Sequence, residues 1–240
     1  MSFLMTASGK FAIGALSALL MAPIAFGQQE YIGQYDVYTA YMYLHSSLIN
    51  LGESGFHTQV GTNLKKWYSL GFDFSDGTGD TVLVPNMLRS SLQQQIAGQL
   101  APLKAAGYLP ANYEPAVAAH SKSQTYATGP QLNYRRFKTV TLFLHPDLGA
   151  IHESVAVAAS DPIGKALVQN MAPSGIKEDW TYFYGVGGGV DFNITRHFGL
   201  KVHADFVRDH LFSDLLTWRN SVRLSIGPTF HMGRNVAAQK

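Results

Sequence analysis

Two His-x-Ser spacings, His45-Ser46-Ser47 and His152-Glu153-Ser154, carry the most direct chemical suggestion in this sequence. Residues two apart on a strand share a face, so each imidazole could act as base toward the serine hydroxyl two positions on, as nucleophilic catalysis requires. A second set, Gly185, Gly187, Gly188 and Gly189, imitates a phosphate loop. It lies inside a strand-like alternation with no helix start after it, so close packing or room for a large neighbour is the better reading. A third set, Asp191, Lys201, His203, Asp205 and Arg223, offers both signs of charge near the end of the chain. Buried charges need partners, and this set reads as an ion-pair network rather than a metal or acid–base centre. The sequence therefore predicts no catalytic residue, no cofactor and no metal.

Composition narrows the classes further. Only 14% of the 240 residues are charged, against 46% apolar, whereas a typical soluble domain carries roughly 25% charged residues. That balance excludes disorder. With no Cys, disulfides, thiolate metal sites, a thiol nucleophile and a lipidated cysteine are excluded as well. A formal net charge of +2 gives no footprint for nucleic acid.

Residues 1–27 read as a secretory signal peptide: Lys10, an apolar run from Phe11 to Met21, the breaker Pro23, then Ala25-Phe26-Gly27. The run is short for a bilayer span, which needs about 20 residues. Cleavage leaves residues 28–240 as the mature domain, with the net charge reduced to +1 by the loss of Lys10.

The elements that must position the charged set follow period two. Phe198, Leu200, Val202, Ala204 and Phe206 share one face, and Lys201, His203 and Asp205 the other. Val222, Leu224, Ile226 and Phe230 oppose Ser221, Arg223, Ser225, Gly227 and Thr229. Tyr182, Tyr184, Val186, Val190 and Phe192 alternate with Gly and polar residues over 180–193, and weaker versions recur over 35–45, 56–64, 68–75, 126–135 and 140–151. That makes eight strands. Short turns are expected near Lys65-Lys66, Arg136-Phe137 and Thr195-Arg196-His197, and longer loops over 46–55, 76–122, 153–179 and 207–219. One long loop holds a predicted helix over about 86–107, from Met87, Leu88, Leu92, Ile96, Leu100 and Leu103, with Pro85 at its start and Gly107 at its stop.

Alternation does not say which face points outward. The polar set mixes small residues with Asp73, Arg135, Asp191, Lys201, His203, Asp205 and Arg223, which suits a narrow interior, and Tyr43, Trp67, Tyr134, Trp180 and Trp218 stand near strand ends, where interfacial girdles belong. The predicted fold is an all-β, eight-stranded antiparallel up-and-down transmembrane barrel. Within it, Asp191 and Lys201 should pair across the turn at Arg196 and Arg223 should approach from the closing strand.

The segments YDVYTAYMYL at Tyr35, WTYFYGVGGGVDFNITRHFGLKVHADFV at Trp180 and NSVRLSIGPTFHMG at Asn220 resemble the eight-stranded outer-membrane β-barrel domain family, which shares the architecture of OmpA-like transmembrane domains. Two features depart from that pattern: Pro228 interrupts the last strand, and a short tail, 234–240, follows it. The resemblance implies a bacterial outer-membrane location, outer-membrane lipids and the barrel-assembly machinery as partners, and no cell-wall tether. The expected function is a non-enzymatic scaffold with a side-chain-plugged lumen, displaying long loops to an extracellular ligand that the sequence does not name. Two alternatives stand beside it. One is a lipid-modifying enzyme, similar to the lipid A deacylases in the His152/Ser154 spacing, although Val155 and Ala156 replace the Asn-Ala-Gly that follows their serine. The other is a soluble lipocalin-like carrier of an apolar ligand, which requires the two faces to be exchanged.

Overall fold

The computed structural model describes residues 29–238, so the predicted signal peptide lies outside the described residues. Strands β1 (Gly33–Ser46), β2 (Leu51–Lys65), β3 (Tyr68–Leu83), β4 (Val117–Tyr134), β5 (Val140–Ala158), β6 (Ile176–Asn193), β7 (Phe198–Asp209) and β8 (Arg219–Asn235) pair in sequence order. β1 closes on β8, giving an antiparallel barrel. Closure pairs every strand on both sides, so the backbone polar groups are satisfied without water, the condition for crossing lipid with strands.

The wall is inverted relative to a soluble protein. Phe72, Leu132, Leu144, Val186, Phe206, Leu224 and Ile226 face outward and are exposed. His57, Asp73, His145, Asp147, Asp191, Lys201, His203, Asp205 and Arg223 face inward and are buried. Exposed aromatic rings sit toward both ends of this apolar belt: Trp67 and Tyr134 at the tight-turn end, Tyr43, Trp180 and Trp218 at the loop end. This is the girdle arrangement of membrane barrels.

The strands are longer than sequence alternation alone predicts. A tilted strand crosses lipid in about 9–11 residues, whereas β4, β5 and β6 run 18, 19 and 18 residues. The excess lies at the loop end, where the outward face turns polar. Asp80 binds His120 at 2.8 Å and Asp76 binds Gln124 at 2.7 Å across β3 and β4. With both faces polar, period two fades although the pairing continues. The predicted 46–55 loop is correspondingly a four-residue turn, 47–50, and the long loops shrink to 84–116, 159–175 and 210–218.

Two helices lie in those loops. α1 (Ser90–Ala105) sits inside the predicted 86–107 range, preceded by a separate 3-10 turn at Pro85–Met87 and stopped by Gly107 at φ 76°. Ile96 and Leu100 are its buried residues. α2 (Pro162–Met171) was not anticipated from the sequence, although Asp161-Pro162 is a start signal: the Asp161 carboxylate accepts the N–H groups of Ile163 and Gly164, and Pro162 occupies the first turn. Pro228 does not end β8. It faces outward, and the β1–β8 ladder passes from Tyr38–Thr229 to Tyr41–Ile226 around it. The expected tail from 234 is part strand, to Asn235, and part 3-10 turn, with Val236 buried.

Candidate functional site

The barrel interior is the candidate site, and it is layered. At the tight-turn end, His231 donates to Asp36 at 2.7 Å. Asn63 donates to Asp36 at 2.6 Å, and Arg135 donates to Asn63 at 2.9 Å. Asp191 faces this layer, with its Oδ2 3.7 Å from His231 Nε2.

In the middle layer Tyr38 donates to Ser225 at 3.1 Å. Ser225 lies 3.0 Å from His57 Nδ1, and His57 Nε2 binds Asp73 at 2.9 Å. The carboxylate end fixes the proton on Nε2, so the four side chains form a directed chain of donors from β1 through β8 and β2 to β3. Beside it, Arg223 holds Asp205 Oδ2 at 2.7 Å and donates from Nη1 to Ser75 and Thr125 at 3.1 and 3.0 Å. His203 and His145 complete this layer, their Nε2 atoms 2.7 Å apart.

Toward the loop end, Arg219 pairs with Glu153 at 2.7 Å and Asp209 at 3.1 Å. Ser121 Oγ lies 2.8 Å from both Glu53 and Glu153. Above these polar groups the interior becomes apolar. Ile49, Leu51, Ala119, Val155, Phe212 and Leu216 form a buried cluster, and with residues of α1 and α2 they enclose a cavity of about 100 Å³.

All five residues of the sequence-derived charge set thus point into one interior. Asp205 and Arg223 are ion-paired directly. Asp191 and Lys201 are opposite one another in the β6–β7 ladder. Lys201 nonetheless spends its ammonium elsewhere: it donates to Gln59 at 2.9 Å and lies over the rings of Phe143 and Tyr38 at 4.8 and 5.1 Å. Longer reach explains the difference, because a lysine can cross the lumen whereas the short Asp191 side chain cannot follow. Asp73, already named among the polar residues that suit a narrow interior, lies in the same interior; His57, His145, Asp147, Glu53, Glu153 and Arg219 do too and stand outside the set, although each has inward parity on its strand. Glu53, Glu153 and Arg219 fall within the predicted loops, and β2 and β5 alternate weakly in sequence, which hid the others.

The two His-x-Ser spacings do not assemble as base and nucleophile. His152 stacks on Trp180 at 4.5 Å on the outer surface, and Ser154 donates to Glu178 at 3.2 Å. Ser47 lies beyond the end of β1, exposed in the 47–50 turn, and no hydrogen bond joins it to His45 among the described residues. Gly187 lies inward opposite both His145 and Asp205, so the glycine run packs the wall and cradles no phosphate. The soluble-carrier alternative needs an apolar interior along the barrel, and charged groups occupy it instead.

Closed wall, apolar outer belt and polar interior together define the class, a bacterial outer-membrane-type β-barrel of eight strands. No family model matches the chain, and no curated protein matches it in sequence. Among solved structures it is similar to the Neisserial surface protein NspA, with 12% identity over 82% of this chain and 96% of that one and a TM-score of 0.47. It is also similar to OprG of Pseudomonas aeruginosa, with 9% identity over 86% and 99% and a TM-score of 0.47. A third likeness is to Ail, the attachment invasion locus protein of Yersinia pestis, with 13% identity over 84% and 100% and a TM-score of 0.43.

Proposed function

We propose that this protein is a non-enzymatic scaffold of the outer membrane, whose lumen is closed by its own side chains and whose loops form the surface presented outward. The observation that carries this reading is the middle layer: Arg223, buried to 1% exposure, spans from β8 to Asp205, Ser75 and Thr125 on β7, β3 and β4. Eight strands enclose an interior that side chains just fill, and a guanidinium bonded across that interior leaves no continuous water column. The lipids of the membrane contact the apolar belt. Assembly machinery inserts the barrel, and the loop end over 84–116, 159–175 and 210–218 is the surface for any extracellular partner.

Planar-bilayer recording on the refolded barrel tests this. A barrel plugged this way gives no sustained ion current, and Arg223→Ala combined with Tyr38→Ala, if it folds, opens a measurable one. Steady conductance from the unmodified protein would overturn the plugged-lumen reading.

A further inference from the structure

Three ligand-type atoms converge in the middle layer from two strands. His203 Nε2 lies 2.7 Å from His145 Nε2 and 2.7 Å from Asp205 Oδ1, and His145 Nε2 lies 3.6 Å from that same oxygen. All three residues are buried, with His203 at 0% exposure. His145 donates its Nδ1 proton to Asp147 Oδ1 at 2.8 Å. In a neutral imidazole that leaves Nε2 with a lone pair aimed at His203. A carboxylate behind an imidazole, fixing its tautomer, is the recurrent support of a metal-binding histidine.

With both imidazoles neutral, hydrogen bonding leaves this cluster short of protons. A neutral His203 brings at most one proton on Nε2 to two acceptors, His145 Nε2 and Asp205 Oδ1. The other carboxylate oxygen, Oδ2, is already taken by Arg223. Oδ1 and His203 Nδ1 lack a hydrogen-bond partner of good geometry. Charge points the same way: two carboxylates, Asp147 and Asp205, contact these imidazoles, and Arg223 pairs with only one of them.

The backbone makes room for the convergence. Gly187 sits directly between His145 and Asp205 in the β5–β6 and β6–β7 ladders. A Cβ at Gly187 would collide with Asp205 Oδ1 and come within 2.6 Å of His145 Nε2. The glycine is therefore the residue that lets the two ligands meet across the strand separating them.

We infer that His145, His203 and Asp205 form a binding site for a divalent first-row transition ion, with Asp147 as the positioning residue for His145 and Gly187 as the cradle. Two imidazoles and one carboxylate suit zinc, cobalt or iron, and do not suit calcium or magnesium. A tetrahedral ion with bonds of about 2.0–2.1 Å holds its ligand atoms roughly 3.3 Å apart, so the two imidazoles open by about half an ångström to admit it. The ion ties β5 to β7 across β6.

Cobalt(II) uptake by the full barrel tests the assignment. The protein is refolded in detergent with excess cobalt, desalted, and assayed for bound metal and for the visible d–d absorption of a low-symmetry site. A heat-dependent gel shift verifies folding. The expected result is one cobalt per chain, displaced by zinc, lost in His145→Gln and His203→Gln, and weakened about 10–100-fold in Asp147→Asn. If the histidine variants do not fold, Gly187→Ala and Asp147→Asn carry the test, and both should bind less cobalt than the parent. No stoichiometric uptake by the folded parent, or equal uptake by folded variants through the surface histidines, would overturn the site and leave a hydrogen-bonded network only.

Discussion

Removing the Arg223 guanidinium is the sharpest perturbation of the proposed lumen plug. Its Nε–Asp205 contact is 2.7 Å, both partners are essentially inaccessible, and Nη1 makes two further bonds to hydroxyls. Breaking a buried pair strands the surviving charge, which typically costs about 3–5 kcal/mol. Arg223→Met keeps much of the side-chain volume, so most of that loss should be electrostatic. The double variant Arg223→Met with Asp205→Leu removes both charges of the pair and should recover part of the loss: an apolar replacement of a whole buried pair is often close to neutral, but Asp205 also holds His203 at 2.7 Å. Denaturant titration in lipid vesicles, followed by fluorescence of Trp67, Trp180 and Trp218, supplies the free energies, and the two single variants with the double close the cycle. A loss below about 1 kcal/mol for Arg223→Met, the worth of an exposed pair, would refute the claim that this ion pair is buried in a dry lumen.

Two further outcomes are expected. Leu224→Arg, one residue along and on the lipid face, should cost roughly 2–4 kcal/mol near the bilayer midplane, measured in the same titration. The α2 cap should depend on acid: Asp161 is held below the usual carboxylate range by its hydrogen bonds from Tyr113 and then Gly164, while the Tyr113 phenol is pushed up to about 12 by desolvation and by Asp161. With a depressed folded pKa, the cap is intact above the ordinary value of 3.8 and is lost as pH falls through the folded value. Hydrogen-exchange protection of the Ile163 and Gly164 amides should therefore hold at neutral pH and fall only below that value, whereas Asp161→Ala should lack it throughout.

The fold was legible where lipid and lumen impose opposite demands on neighbouring residues. β7 and the middle of β8 alternate cleanly because Leu200 and Leu224 meet lipid while Lys201 and Arg223 meet the interior. Where a strand leaves the lipid, as Asp76 to Leu83 of β3 do, the outward demand vanishes and the pattern ends before the strand does. The charge set was found on β6, β7 and β8 for the same reason. His145 stands outside the set although the alternation over 140–151 puts it on the polar face, and between it and Asp147 stands Pro146. The structure accommodates it by opening the ladder: β4 and β5 pair through Thr128–Leu148 and resume at Leu132–Leu144, with Pro130 and Pro146 in the interval. Convergence of His145 with His203 depends on barrel closure and on the missing side chain at Gly187, neither of which spacing along one strand reveals.

The absence of cysteine from the sequence allows the two-faced wall, apolar toward lipid and polar toward the lumen, to be measured residue by residue. Single cysteines placed at positions 222 to 226 of β8, labelled with an environment-sensitive fluorophore, can be read in vesicles containing brominated lipid. Strong quenching is expected at Val222, Leu224 and Ile226 and little at Arg223 and Ser225, in any variant whose gel shift shows a folded barrel. Equal quenching along the strand, or the opposite alternation, would contradict the two-faced wall.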